Sequence, residues 1–76
     1  MEDREIYSFK KNAGETVRIS LSEFKGHKLL DIRVYAKSRD TGKEVATKKG
    51  LTVNRGLAKE LLEGLRRAIE TIEGEA

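Results

Sequence analysis

Two stretches decide the fold: Glu15-Thr16-Val17-Arg18-Ile19-Ser20-Leu21 and His27-Lys28-Leu29-Leu30-Asp31-Ile32-Arg33-Val34-Tyr35-Ala36-Lys37. In the first, Val17, Ile19 and Leu21 alternate with Thr16, Arg18 and Ser20. A period of two is the mark of a half-buried strand. The second sends Leu30, Ile32, Val34 and Ala36 to one side and His27, Leu29, Asp31, Arg33, Tyr35 and Lys37 to the other. Between them Ser22-Glu23-Phe24-Lys25-Gly26 breaks the pattern and reads as a turn around Gly26. The two runs are therefore neighbouring antiparallel strands whose apolar faces look toward one core.

Working outward, Glu5 to Lys10 alternates as well and is punctuated by Asn12-Ala13-Gly14. Asp40-Thr41-Gly42-Lys43 is a turn signal, and Glu44 to Lys49 follows as a short polar strand. The last third changes period. Asn54 is suited to cap a helix, and Leu57, Ala58, Leu61, Leu62, Leu65, Ala68, Ile69 and Ile72 then fall within an arc of roughly 140° at 100° per residue. The reading is an α+β domain of four antiparallel strands and one C-terminal helix, a single unit over 1–76. It is ordered over about 5–72, with the first few residues and Glu73–Ala76 expected to fray.

With 76 residues, 38% of them charged and 37% apolar, the core must be small. A lone chain of this size is marginal, and disulfides, metals or oligomerisation usually make up the shortfall. There is no Cys, and His27 is the one His, so oligomerisation is the route left. The apolar stripe is also wider than the ~100° needed to dock on one surface. A helix lying on its own sheet would leave part of it uncovered, so a homodimer is expected with Leu61, Leu65, Ala68 and Ile72 near the interface.

Charge is segregated along the chain. Residues 25–49 carry eight Lys or Arg against three Asp or Glu, whereas residues 53–76 carry four against five. A basic middle on a small fold suits a polyanion, while the plainer reading is a solvated, aggregation-resistant surface. No apolar run reaches the ~20 residues of a membrane span. The acidic Met1-Glu2-Asp3-Arg4-Glu5 does not resemble a secretory signal, so an intracellular protein without a membrane partner is expected.

Catalytic constellations are missing from the sequence. One His without Cys cannot build a Cys–His pair, metal-ligand spacing does not occur, and Lys48-Lys49-Gly50 lacks the upstream glycines of a phosphate loop. No enzyme activity, metal or cofactor is expected. Asp31, mid-strand on the face it shares with Arg33, suits a salt bridge better than acid–base chemistry. Phe24 stands beside Lys25, His27 and Lys28, where an aromatic ring can stack on bases or fold back as a lid on the core. Lys25, Arg33, Lys37, Lys48 and Lys49 are the candidates for phosphate neutralisation.

The ordered set Ser20-Leu21-Ser22-Glu23-Phe24-Lys25-Gly26-His27-Lys28-Leu29-Leu30-Asp31-Ile32-Arg33-Val34-Tyr35, followed by Thr47-Lys48-Lys49-Gly50-Leu51-Thr52-Val53, resembles the positive-cofactor-four family of transcriptional coactivators. The likeness spans roughly residues 8–70. It implies a curved four-stranded antiparallel sheet followed by one helix, paired as a homodimer on single-stranded or melted DNA, with the transcription machinery as partner in the coactivators. Carried over by position, Phe24, Lys25 and His27 match the family's strand-contacting loop, Arg33 a basic residue of the sheet face, and Lys49 the basic residue before Gly50. Ala36 stands where the family often has Trp, which leaves Tyr35 as the other candidate platform. The chain does not carry the long Ser/Lys-rich N-terminal region of the eukaryotic coactivators. The expectation is therefore the standalone prokaryotic or phage form, with RNA binding or a protein-interaction role for the helix as the alternatives.

Overall fold

The computed structural model describes residues 4–75. Four strands, β1 (Arg4–Asn12), β2 (Glu15–Phe24), β3 (His27–Lys37) and β4 (Glu44–Asn54), form one antiparallel sheet in the order of the chain. A 3-10 turn (Arg55–Leu57) then leads into helix α1 (Ala58–Gly74).

The register confirms the alternation. Ile19 lies opposite Ile32, Val17 opposite Val34 and Leu21 opposite Leu30, so these six share one face, joined by Tyr7 and Phe9 of β1 and Leu51 and Val53 of β4. The other face carries the rows Arg18–Arg33, Ser20–Asp31–Thr52 and Thr16–Tyr35. Since side chains alternate sides along a strand, one face is apolar and the other polar. A bulge at Ile6 keeps Tyr7 on the apolar side and Glu5 on the polar side of β1.

Several expectations change at the ends of elements. β2 does not stop at Leu21 but runs to Phe24, because the turn needs only Lys25 and Gly26. Both have positive φ, 51° and 81°, the backbone that two-residue hairpins require. β4 is not a short strand ending at Lys49; it continues through Gly50 to Asn54. Gly50 makes that possible. Its φ is +149°, and a Cβ there would stand 2.3 Å from the Ile32 carbonyl oxygen, so β4 passes β3 at a distance closed to any other residue. Asn54 caps as expected, its Oδ1 accepting from Gly56 N–H at 2.8 Å, although the segment it opens is the 3-10 turn. The helix also continues through Gly74 where fraying was expected from Glu73. Residues 1–3 and 76 lie outside the described residues.

The largest departure concerns the core. Among the described residues no hydrophobic side chain is buried, and Thr16, 8% exposed, is the buried residue. The 3-10 turn lies against β3, but α1 does not pack along the sheet, contrary to the expectation that it would lie on it. Three residues, Arg55–Leu57, separate the end of β4 from the helix. The molecule is accordingly flat, 43 × 35 × 18 Å. No helix among the described residues is long and apolar enough to cross a membrane.

Candidate nucleic-acid interface

The hairpin Phe24-Lys25-Gly26-His27 closes one end of the sheet. Phe24 pairs with His27 at the last rung of the β2–β3 ladder, so it belongs to the alternating pattern and points to the polar face, rather than standing free in a turn. It is nevertheless 51% exposed, and the Lys25 ammonium lies 5.3 Å from its ring centroid. His27 and Lys28 are exposed beside it. Strand alternation puts Lys28 on the apolar side, opposite Glu23.

From Phe24 an open groove of about 280 Å³ follows the polar face past Ser20, Ser22, Asp31 and Thr52 to Tyr35. Its floor is tied together. Arg33 donates from Nε and Nη2 to the two Asp31 carboxylate oxygens (3.1 and 2.9 Å), from Nη1 to the Thr47 carbonyl (3.0 Å) and from Nη2 to Thr52 Oγ1 (3.2 Å). Thr52 in turn donates to Asp31 at 2.6 Å. Partial burial pushes the Asp31 carboxyl up, but the hydrogen bonds from Arg33 and Thr52, with the Arg33 charge, outweigh it and leave its pKa below the ordinary value. The salt bridge expected of Asp31 is present. Arg33, placed on this face as expected, is turned into the sheet, with most of its donors already taken by protein oxygens.

At the other end Arg18 bridges Glu44 (2.8 Å) and Glu5 (3.3 Å), and its guanidinium carbon lies 4.2 Å over the Tyr35 ring. Thr16 donates to the same Glu44 at 2.7 Å, which with Arg18 holds that carboxyl below its usual range. One face of Tyr35 is thus covered by a cation from its own chain.

Lys48 and Lys49 project from a wide bulge, where Thr47, Lys48 and Lys49 together stand opposite Val34. Thr47 holds the bulge shut: its hydroxyl donates to the Val34 carbonyl (2.7 Å) and accepts from Lys49 N–H (3.2 Å). Lys37 ends β3 at the same end of the sheet, exposed opposite Glu44. The structure therefore sorts the site residues into two basic ends, Phe24 to Lys28 and Lys37 with Lys48 and Lys49. Arg33 and Tyr35 lie between them. Sequence reading missed Arg18 and Thr47, whose parts depend on neighbours across strands. The Lys-Lys-Gly run was the available signal for the bulge.

The family model for Transcriptional Coactivator p15 (PC4) matches residues 11–64, which include both basic ends and the groove. The chain belongs to the PC4 family. PC4 proteins are DNA-binding and non-enzymatic, and the chain is a DNA-binding protein rather than an enzyme on that ground. No curated protein matches it by sequence. Among solved structures it is similar to a PC4 homolog from Burkholderia pseudomallei, at 28% identity and a TM-score of 0.79 over 88% of this chain and 97% of that one. A second crystal form of that protein gives a TM-score of 0.78 over 88% and 89%. It is also similar to the bacteriophage T5 homolog of the eukaryotic coactivator PC4, implicated in recombination-dependent DNA replication. That likeness has 28% identity and a TM-score of 0.65 over 99% of this chain and 81% of that one. These likenesses support the β-β-β-β-α architecture expected from the sequence.

Proposed function

We propose that the protein is an intracellular homodimer that binds single-stranded or melted DNA with little sequence preference, in support of transcription or recombination-linked replication. The observation that carries the DNA reading is Phe24: a large ring, half exposed at the tip of a two-residue hairpin, flanked by Lys25, His27 and Lys28. Such a ring can stack on any base, while the lysines neutralise phosphates and release counterions. Lys37, Lys48 and Lys49 extend the basic path at the far end. Arg33 acts mainly by holding the groove floor, and Tyr35 offers the ring face that Arg18 leaves open.

The dimer reading rests on the missing core. Leu62, Leu65, Ile69 and Ile72 are 52–65% exposed, and the sheet's apolar face is likewise uncovered. A second copy buries both surfaces together, with Leu61, Leu65, Ala68 and Ile72 in the seam.

Fluorescence anisotropy with matched single-stranded DNA, RNA and duplex, titrated with salt, tests the first reading. Single-stranded DNA is expected to bind most tightly, with log affinity falling linearly in log salt. Phe24→Ala is expected to weaken binding about 5- to 150-fold, the equivalent of ~1–3 kcal/mol per stacked base, with an unchanged slope and little change in melting. Full affinity with collapsed melting would make Phe24 a packing residue and remove the stacking model.

A further inference from the structure

Glu15 opens β2 at the turn from β1, and three donors converge on its carboxylate. Asn12 Nδ2 donates to Oε1 at 2.8 Å, and Lys11 Nζ reaches the same oxygen at 3.2 Å. Lys49 Nζ stands 3.6 Å from Oε2. The two lysines come from opposite edges of the sheet. Lys11 is the extra residue of a bulge between Lys10 and Asn12, and Lys49 belongs to the bulge facing Val34. Bulges re-aim side chains, and here both aim a cation at one point. Lys49 must reach over β3 to do so. Ala36, the register partner of Glu15 on that strand, contributes only a methyl group there.

Two ammonium groups and an amide N–H around one oxyanion form the donor set a phosphate oxygen needs. We propose that Lys11, Asn12 and Lys49 constitute a binding site for a backbone phosphate of the nucleic acid, and that Glu15 is its built-in competitor. The inference rests on the DNA-binding reading and adds Lys11 and Asn12 to it, with a carboxylate that limits affinity. The reason is electrostatic. A lysine in solution holds a mobile counterion, whose release on phosphate binding favours the complex. A lysine held by Glu15 has a tethered counterion that cannot leave, and the displaced carboxylate remains beside the incoming phosphate and repels it. Glu15 and Ala36 fall on the same side of the strands as Val17 and Val34, at the end of the sheet. Glu15 is 21% exposed and Lys11 and Lys49 are 46% and 70% exposed at their side chains, so the site is open to a polymer at the rim of the sheet, outside the groove of the polar face.

Glu15→Gln is the decisive variant, because the amide oxygen still accepts from Asn12 and Lys11 while the charge is gone. Single-stranded oligonucleotide binding is measured by anisotropy from low to moderate salt for wild type, Glu15→Gln, Lys11→Ala and the double variant Glu15→Gln/Lys11→Ala, with thermal melting on each. The expected result is roughly two- to fivefold tighter binding for Glu15→Gln near physiological salt, the scale of an exposed ion pair. Its salt slope is expected to be steeper by about 0.7 to 1.4, one or two added phosphate contacts on a single strand. Adding Lys11→Ala should take back part of both gains. Unchanged or weaker binding by a Glu15→Gln protein that melts like wild type would overturn the proposal and make the cluster a hairpin clamp. If Glu15→Gln melts lower, Lys11→Ala decides: loss of affinity and of slope in a normally melting protein upholds the phosphate site, and unchanged binding overturns it. Wild type that shows no salt-dependent binding at all would remove the DNA-binding reading itself, and this inference with it.

Discussion

On the polar face of the sheet Arg18 closes on Glu5 and Glu44, and Arg33 closes on Asp31, Thr47 and Thr52. On the apolar face Tyr7 and Phe9 are 61% and 48% exposed, Leu51 is 43% exposed, and α1 stands clear. The same four strands make both. One face satisfies its side chains within the chain and can serve as a preformed groove; the other leaves its surface for something else to cover. Burial of apolar area is the main favourable term in folding, so the chain's stability sits on the face that it does not complete alone.

The sharpest way to break this contrast is on the helix. If a second copy covers Leu65, Leu65→Ala is expected to cost about 2–5 kcal/mol, as at other buried leucines. A side chain that stays in water costs within about 0.5 kcal/mol. Urea unfolding followed by circular dichroism at several protein concentrations reads the difference, since the midpoint of a dimer moves with concentration.

A second cut separates the strands themselves. Gly50→Ala forces a Cβ against the Ile32 carbonyl and a side chain into positive φ. Strain of this kind costs about 1–3 kcal/mol, so the urea midpoint should fall and amide exchange should rise first along β4.

The third works on the polar face and adds pH. Arg33→Ala leaves Asp31 and Thr52 without their main partner and is expected to cost about 1.5–3 kcal/mol at neutral pH, the scale of hydrogen bonds to charged groups. The Asp31 pKa is lowered from its ordinary 3.8 in the folded protein. Its contribution is therefore complete above that value and lost as pH falls through the folded pKa. Wild type and Arg33→Ala should converge in stability in acid below that range, and a constant gap down to pH 2 would show that Asp31 is not the group at issue. The salt slope of DNA binding should be unaltered, because Arg33 acts within the sheet.

The smallest effect belongs to Lys25. Lys25→Ala should shallow the single-stranded DNA salt slope by about 0.7, with affinity lowered evenly across sequences. An unchanged slope would place the nucleic acid away from the hairpin.

What could be read from the chain followed its periodicities. The alternation in Glu15–Leu21 and His27–Lys37 identified the faces correctly, and the 3.6-residue recurrence after Asn54 identified the helix. Element ends were less legible. Gly50 looks like a stop, because glycine commonly ends a strand, and the need for it comes from the Ile32 carbonyl of a different strand. Phe24 looked like a turn residue because Ser22 and Glu23 interrupt the apolar pattern, yet hydrogen bonding to β3 carries β2 past them. Arg33 reads as a phosphate ligand from its charge and its place in the family pattern, and part of its bonding within the sheet lies beyond both. Its two contacts with Asp31 follow from the shared face, whereas those with Thr47 and Thr52 depend on the β3–β4 register and on the bulge at Thr47, which composition and spacing do not reveal. The place of the helix was hidden for the same reason, since an amphipathic stripe records that a partner surface is needed and not whose surface it is.

The order of the strands also bears on how the protein comes into being. Each strand neighbours the next, and the turns between them hold two, two and six residues, so the sheet closes through small loops, whose hairpins form on a scale of about 1–10 μs. The helix is made last and lies apart from the sheet. In the proposed dimer, the sheet can thus take shape while the chain is still being synthesised. The apolar surfaces wait for a second molecule, which makes the final step bimolecular and its rate a matter of how many finished copies are near.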